Sequence, residues 1–590
     1  MYSRVPAVLD RKFSYADLLL LLIFLAFLYY FIGLARQWNG AFHPEAAIDL
    51  SLWALPKYSF FSLIRAFVAY ILSLGFTLIY GYAAAKNKTS EKFLIPLLDI
   101  GQSIPVLGFM PGLVLGLISI FPNSNMGMEL ACIILIFTGQ VWNMTFAFYA
   151  SVRAVPTPFY EMSDVVGLGW FRKFRKIELP ASAINLAWNS LMSMAGGWFF
   201  LIACESFTLG EKNFRLPGLG SYMAVAIEKD DSHAMTAGVI AMSLVIIFTD
   251  FLIWRPIISW TRKFRLEEVE GEIEDTPFLT MLLRESKLIK VLKDLLRAFK
   301  RAPVRIKEFS QEALPSALFP IERQLLQSEQ TKRRWKWFKP KLKAFFSAFI
   351  GTLTGILIVW IGTRLWELVR VLNWIDWRLI LIGTFYTMLR VFVALVLSSL
   401  WAIPFGIWVG LHPKLTRFFQ PIIQLAASFP APMIYPLALT LFFKIHVGLS
   451  ISSAFLMLLG VQWYVLFNVL AGAISISREL SESFDLIGVS RKDRWKKLYL
   501  PSVFPALVTG WITAAGGAWN ASIVSEYVLY RGTTLKAAGL GSLISEATAS
   551  GNYHLLGGCL IVMVISVVGI NRTLWRPIQR FAESHYRFER

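Results

Sequence analysis

Charged side chains inside the apolar stretches of this chain are the first candidates for chemistry. Arg65 and Arg390 lie near the start of two such stretches, and Glu205 and Glu526 lie near the end of two others. If the stretches cross a membrane, charges within them are costly and are functional candidates by default. Either arginine could help to bind an anion. An arginine at a helix end more often extends its side chain to the membrane interface, and we favour that interpretation here.

The two glutamates admit two interpretations. They either take part in function within the membrane, or they lie at its surface, where water or a nearby base such as Arg215 or Arg531 satisfies them. An acidic pair repels an anion unless it is neutralised. A role in gating or structure is therefore as consistent with the sequence as a role in binding.

One passage occurs twice in the chain. Glu161 and Gly167 recur as Glu482 and Gly488, and each passage continues through a basic stretch to a Leu-Pro pair at the same separation of 321 residues. Upstream of this passage, equivalent residues lie 325 residues apart. The difference indicates a change of length in a loop between the third and fourth predicted helices, where insertions are tolerated. The chain is a duplicated and fused unit.

Polar and aromatic residues at equivalent positions mark where the two copies agree and where they differ. Asp99 of the first copy is matched by Gln424 of the second, in a helix that we expect to approach the axis between the copies. That difference would allow a fused chain to form one asymmetric site. Trp198 and Trp519 match each other. They could face a solute, or they could fill the interior or reach an interface.

The composition indicates a membrane protein. Hydrophobic residues make up 56% of the chain and charged residues 16%, which is less charge than a soluble domain carries. Apolar runs of roughly the 20 residues needed to cross a bilayer predict six helices per copy, about twelve in all. The first run lacks a following cleavage site, so we expect it to be a retained helix. The runs begin near Ala16, Phe61, Leu94, Leu130, Ile184 and Met235, and again near Phe345, Ile380, Phe419, Ile451, Phe504 and Leu555.

Membrane topology explains the net charge of +20 better than nucleic acid does. Lys and Arg are concentrated in residues 86–92, 172–176 and 491–497 and in the tail after Arg576. The positive-inside rule places these segments, both termini and the central linker in the cytoplasm. We expect the membrane to be a bacterial-type inner membrane. Six crossings per copy then make the copies parallel repeats about a pseudo-twofold axis along the membrane normal. We predict an all-α integral membrane protein.

A charged segment separates the two copies. We predict a first six-helix repeat over residues 1–261, a cytoplasmic linker over 262–343 and a second repeat over 344–590. Apolar and basic residues between Met281 and Phe299 alternate near helical spacing. This pattern predicts a basic amphipathic helix that lies on anionic lipid headgroups. A solvated helical spacer is the alternative.

The duplicated passage predicts a loop with a fixed shape between the fourth and fifth helices of each copy. It should form a short polar helix, a break at Gly167 or Gly488, a basic turn and a new helix that begins at Pro180 or Pro501. Two ordinary basic connections are the alternative. The same spacing in both copies favours a surface that a partner binds.

This passage resembles the EAA loop of the membrane subunits of type I ABC importers, in which the loop forms the coupling helix that docks on the ATPase. Glu161-Met-Ser and Glu482-Ser-Phe keep the Glu of that motif but neither Ala. The run from Pro96 to Pro105, the Trp-rich fifth helix and the Gly-Leu-Gly-Ser sequence after it resemble the nitrate, taurine, sulfonate and bicarbonate permeases. Members of that group usually supply one six-helix subunit and dimerise, so one chain here resembles a fused dimer.

The resemblance implies partners and roles. It implies two ABC ATPase subunits on the cytoplasmic side, which hold the ATP and Mg, and a periplasmic or extracellular solute-binding protein; the chain itself would bind no cofactor or metal. No Gly-x-x-x-x-Gly-Lys-[Ser/Thr] loop occurs in the sequence. The resemblance assigns coupling to Glu161, Gly167, Glu482 and Gly488. The candidate translocation path comprises Asp99, Trp198, Glu205, Gln424, Trp519 and Glu526.

Three other classes of protein are alternatives to an importer subunit. A secondary transporter should have ionisable residues deep in several helices and no paired cytoplasmic loops, which is roughly the reverse of this sequence. A membrane scaffold that kept the fold without transport is the second alternative. An enzyme is disfavoured, because no metal-binding His pair or nucleophile arrangement occurs. The three cysteines lie in apolar stretches, and we expect them to be buried: Cys132, Cys204 and Cys559.

Overall fold

Residues 15–210, 212–264, 352, 356, 359–360 and 362–586 are described by a computed structural model. The chain divides into two compact units, one of residues 1–27 with 278–371 and one of residues 28–277 with 372–590. The second unit contains most of both predicted copies. The predicted linker helix lies outside the described residues, and so does the start of the first helix of the second copy near Phe345; residues 362–369 are described and are helical.

The first copy is helical, with one short hairpin. Its elements are α1 (Tyr15–Asn39), α2 (Leu55–Phe76), α3 (Tyr82–Lys86), α4 (Lys88–Ser103), α5 (Met110–Ile120), α6 (Met126–Arg153), α7 (Thr157–Val165), α8 (Trp170–Lys173), α9 (Leu179–Glu205), β1 (Ser206–Leu209), β2 (Lys212–Arg215), α10 (Leu219–Glu228), α11 (Ser232–Thr249) and α12 (Arg255–Thr261).

The second copy repeats this order from its second helix onward, with one continuous helix in place of α2 and α3. Its elements are α13 (Trp374–Gly410), α14 (Pro413–Ser428), α15 (Tyr435–Lys444), α16 (Leu449–Ile474), α17 (Arg478–Leu486), α18 (Arg491–Arg494), α19 (Leu500–Ser525), β3 (Tyr527–Tyr530), β4 (Thr533–Lys536), α20 (Leu540–Ala549), α21 (Tyr553–Ile570) and α22 (Arg576–Tyr586).

Eight helices among the described residues are long and apolar enough to cross a membrane. This confirms a helical membrane protein but not twelve continuous helices. The third predicted helix of each copy is broken into two short ones, α4 with α5 and α14 with α15. A residue that precedes proline avoids the α conformation, and Ile104 (ψ 125°) and Phe429 (ψ 127°), which precede Pro105 and Pro430, are extended and end the first piece.

A two-stranded hairpin follows the fifth helix in each copy, and the sequence interpretation did not include it. β1 pairs with β2 and β3 with β4, both antiparallel. The tip of each hairpin reaches the other copy. The Gly210 amide donates to the Thr548 carbonyl at 3.1 Å, and Arg531 lies 3.9 Å from Asp230. The hairpins therefore link the copies at one end of the long helices.

The core of this unit is continuous across the two copies. α6 packs along α9, and α16 packs along α13 and α19. Buried side chains from both copies, including Trp198 and Trp519, belong to one apolar cluster. The Val106 amide of the first copy donates to the Asn520 side chain of the second at 2.8 Å. As predicted, the three cysteines are buried.

Candidate functional site

The two repeated loops, residues 157–178 and 478–499, fold alike. Two residues after the end of α7 and of α17 lie Gly167 (φ +69°) and Gly488 (φ +71°), both in a left-handed conformation that glycine adopts without steric cost. In the first loop the Gly167 amide donates to the backbone carbonyl of Asp164 at 3.0 Å, and the Leu168 amide donates to the backbone carbonyl of Ser163 at 2.9 Å. This pair of bonds is a Schellman motif, which closes the C-terminus of a helix. The predicted break at each glycine is confirmed.

Each repeated loop re-enters a helix earlier than the sequence predicted, because the basic stretch that we expected to form a turn is itself helical. A one-turn helix, α8 or α18, leads through a π-helical turn into α9 or α19. Pro180 and Pro501 lie in the first turn of α9 and α19, directly after the π-helical turn, within helices that are continuous from Trp170 to Glu205 and from Arg491 to Ser525. Glu161 and Glu482 are exposed on α7 and α17.

An exposed apolar pair precedes the glycine of each repeated loop. Val165 and Val166 are 89% and 71% exposed, and the equivalent Leu486 and Ile487 are 89% and 77% exposed. Adjacent apolar side chains displayed alike at two equivalent positions are typical of a surface that a partner covers. The sequence reasoning missed them. The available signal was an apolar pair at the same spacing in both copies of an otherwise polar loop.

The first repeated loop has a charged anchor on α3. Lys86 forms an ion pair with the buried carboxylate of Glu178, and its ammonium lies 4.2 Å from the centre of the Tyr160 ring. Burial raises the pKa of the Tyr160 hydroxyl. Leu411 and Tyr499 occupy the positions equivalent to Lys86 and Glu178. An ion pair therefore attaches the first loop to the C-terminal end of α3. The second loop cannot form the same ion pair, because both of its equivalent residues are uncharged.

Arg65 is the centre of a buried charge network in the first copy. Its guanidinium donates to both oxygens of Glu129, at 2.5 and 2.7 Å, and to Glu205 at 2.7 Å. All three side chains are fully buried. Glu205 also accepts from the Ser62 hydroxyl and from the Gly220 amide, both at 2.7 Å. Every charged group here has hydrogen-bond partners, which a buried charge requires.

Arg390 forms the equivalent network in the second copy. It donates to Glu526 at 2.8 Å and to the Ala538 carbonyl at 2.8 Å. Thr387 also donates to Glu526, at 2.8 and 3.0 Å. The second copy has no counterpart of Glu129 among its described contacts, because Arg390 instead donates to the Ser450 carbonyl at 3.0 Å. The first network thus contains one carboxylate more than the second.

These networks correct the interpretation of the four charged residues. The expectation that Arg65 and Arg390 reach the membrane interface is wrong, because their side chains are 0% and 8% exposed. Arg215 and Arg531 do not satisfy the glutamates. Arg215 binds Glu45 and Glu228, and Arg531 lies near Asp230.

The repeated Gly-Leu-Gly-Ser sequence is explained by the same networks. A Cβ on Gly218 would lie 2.3 Å from Glu205 Oε2, and one on Gly539 would lie 2.2 Å from Glu526 Oε2. Both glycines are extended, so the requirement is space for the carboxylate. The glutamates therefore hold α10 and α20 against the second and fifth helices.

Asp99 and Gln424 each contact the other copy. Asp99 forms an ion pair with Arg576. Gln424 donates to Asp250 at 2.5 Å, and Arg255 donates to Asp250 at 3.0 Å. Arg255 and Arg576 are equivalent residues, so the two contacts are related by the internal repeat.

The candidate path residues fall into two groups. Trp198 and Gln424 line one small cavity, and Trp519 and Asp99 line another. Glu205 and Glu526 lie instead in the buried networks around Arg65 and Arg390. A separate, mostly apolar cavity of about 90 Å³ lies between the copies and is lined by α9, α16 and α19, with Tyr464 and Asn520 among its residues.

Comparison with known proteins agrees with this geometry. Residues 74–253 and 402–574, more than half of the chain, each match the model of the family described as "Binding-protein-dependent transport system inner membrane component". The chain belongs to this family. It is a multi-pass membrane component of a transport system and not a nucleotide-binding enzyme, and its two family domains confirm the fused duplication.

Individual members of this permease family are similar to parts of the chain. The taurine transport system permease protein of Escherichia coli is 26% identical over 38% of this chain and 84% of its own length. A putative aliphatic sulfonates transport permease protein of Bacillus subtilis is 24% identical over 34% of this chain and 70% of its own. A nitrate import permease protein of Leptolyngbya laminosa is 23% identical over 31% of this chain and 61% of its own.

Proposed function

We propose that this permease is the membrane-spanning subunit of an ATP-driven importer for a small oxyanionic solute, with both ATPase contacts supplied by one chain. The two equally folded repeated loops, each with an exposed apolar pair beside a left-handed glycine, are the observation that supports it. Two equivalent surfaces suit two copies of one ATPase subunit or a symmetric ATPase dimer. The ATPases would hold the ATP and Mg, and a solute-binding protein would deliver the solute from the opposite side.

The interior supports a route between the copies. The cavities beside Asp99, Gln424, Trp198 and Trp519 lie where side chains of both copies meet. Alternating access would require the copies to move against each other at these contacts. The Arg65 and Arg390 networks would keep each copy rigid during that motion. In this proposal the repeated loops, both termini and the linker face the cytoplasm.

The nature of the solute is inferred from the relatives. Their names include taurine, aliphatic sulfonates, nitrate and bicarbonate. All are, or carry, small oxyanions. We therefore propose an oxyanion as the solute class.

We also assign the linker between the two family domains to the cytoplasm, where it could contact lipid headgroups.

Removal of the exposed apolar pairs tests the ATPase contact. In the variant with Val165→Ser, Val166→Ser, Leu486→Ser and Ile487→Ser, we expect ATPase binding to be lost. Burial of one such side chain contributes about 1.5–3 kcal/mol, so the loss of four weakens the complex by more than about a thousandfold. The tagged full-length chain is purified from its native host in mild detergent, and its ATP hydrolysis and ATPase stoichiometry are measured.

A matched control is available just before the start of α2. Leu52 and Trp53 form another adjacent exposed apolar pair, at 68% and 93% exposure, and Leu52→Ser with Trp53→Ser should leave ATPase retention unchanged. Full ATPase retention in the fourfold loop variant would refute the proposed contact. Retention of ATPases by the wild-type chain without solute uptake in proteoliposomes would indicate a scaffold instead of an importer.

A further inference from the structure

Of the two cavities beside Asp99 and Gln424, the larger contains an accessible ion pair. Asp99 and Arg576 meet beside a space of about 150 Å³ that Gln102, Asn571 and Gln579 also line. The two charged side chains are 29% and 39% exposed, so a solute can reach them. The volume is well above the roughly 10–15 Å³ that one water molecule needs. A π-helical turn that begins at Asn571 shapes one wall.

The equivalent position in the other half is closed. The cavity beside Asp250 and Gln424 measures about 10 Å³, room for about one water molecule at most. The Asp250 side chain is only 8% exposed and is held by Arg255 and Gln424. Ala427 and Ile258 occupy the positions of the two glutamines. Only one of these two equivalent positions is thus built as an open, polar cavity.

The two positions contain the same three kinds of side chain, but the aspartate and the amide have exchanged places. Each has an arginine after the sixth helix, one aspartate and one amide. At the open position the aspartate is Asp99 of the third helix and the amide is Asn571 of the sixth. At the closed position the aspartate is Asp250 of the sixth helix and the amide is Gln424 of the third. Each position therefore contains one aspartate and one arginine that form an ion pair. The open cavity offers a cation and an anion to whatever enters it.

A zwitterion fits this pair better than a simple anion does. Arg576 attracts an oxyanion and has five N–H donors, several more than its bond to Asp99 uses. A solute with only a negative charge is also repelled by Asp99, so the pair offers it little net attraction. A solute that also carries an ammonium group gains from both side chains.

We propose that this cavity is a binding site for a small zwitterion with an oxyanion group at one end and an ammonium group at the other, an inference that rests on the proposed import function. Arg576 binds the oxyanion, and Asp99 accepts hydrogen bonds from the ammonium. Gln102, Asn571 and Gln579 supply amide donors and acceptors between them. The solute enters between Asp99 and Arg576. Because these two side chains bind each other before it enters, both charges are compensated at that stage.

Taurine and ethanesulfonate test the site, because they differ only in the ammonium group. Each is titrated into the purified full-length chain in lipid nanodiscs, and binding is measured by calorimetry. Wild-type protein should bind taurine about tenfold more tightly than ethanesulfonate, as expected for one added charge-assisted hydrogen bond. Asp99→Asn should reduce that preference to about threefold or less. Arg576→Gln should weaken the binding of both probes.

Two further variants keep the test decisive. Asp250→Asn alters the closed position and should leave the taurine preference unchanged. Gln102→Leu leaves the ion pair intact but removes one polar wall of the cavity, so it should weaken taurine binding even if Asp99→Asn does not fold. Equal binding of the two probes by wild-type protein, or no binding of either, would overturn the zwitterion site. Retained ATPases together with ATP-linked solute uptake in proteoliposomes from the same preparation would show that the proposed function itself stands.

Discussion

The buried networks predict that the two equivalent arginines differ in their contribution to stability. Arg65→Met leaves the carboxylates of Glu129 and Glu205 without their shared partner, whereas Arg390→Met leaves only Glu526, which keeps the bonds from Thr387 and from the Ser542 amide. Loss of one partner of a buried ion pair costs about 3–5 kcal/mol. We place Arg65→Met at the upper end of this range and Arg390→Met at the lower end. Their unfolding constants should then differ by roughly thirtyfold.

The buried cysteines provide the assay. Cys132, Cys204 and Cys559 are all buried, so a thiol-reactive fluorescent dye labels the full-length protein only as it unfolds. Purified variants in detergent are heated or titrated with a denaturing detergent while the dye signal is followed. The expected order of stability is wild type, then Arg390→Met, then Arg65→Met.

A charge-removing rescue separates the lost ion pair from lost packing. Adding Glu129→Gln and Glu205→Gln to Arg65→Met removes the uncompensated charges and should recover much of the stability, since amides are less costly to bury than carboxylates. Equal stability of Arg65→Met and wild type would refute the reasoning. So would a triple variant that is no more stable than Arg65→Met alone, because the cost would then lie in packing and not in charge.

Two further predictions concern the repeated loops. Gly167→Ala with Gly488→Ala should weaken ATPase retention, because each alanine in the left-handed conformation costs about 1–2 kcal/mol, while nothing lies within 4 Å of either added Cβ. Gly169→Ala is the control, since Gly169 has a φ of −63° and equally open surroundings; an equal loss in this control would contradict the conformational argument. Charge reversal in Glu161→Lys with Glu482→Lys should abolish ATP-linked uptake in proteoliposomes while the chain still inserts in the membrane, and unimpaired uptake would remove these residues from the coupling role.

Local features of the chain could be predicted because they depend on neighbouring residues. The breaks at Gly167 and Gly488 follow from the backbone freedom of glycine. The long helices follow from apolar runs that a membrane requires to be hydrogen-bonded internally. The number of crossings could not be settled in the same way, because the Pro105 and Pro430 breaks leave short helices whose path depends on their surroundings.

The sequence alone determined the duplication, the membrane class and the glycine breaks in the repeated loops, and the family resemblance of the chain is confirmed. Tertiary structure decided how the charges are paired. Arg65 and Glu205 are separated by 140 residues, and Asp99 and Arg576 by 477. Such pairs meet only when distant helices pack, and no local pattern records which ones do. Packing also decided that of two equivalent polar positions only the one beside Asp99 is open, because its size depends on side chains brought together from both copies.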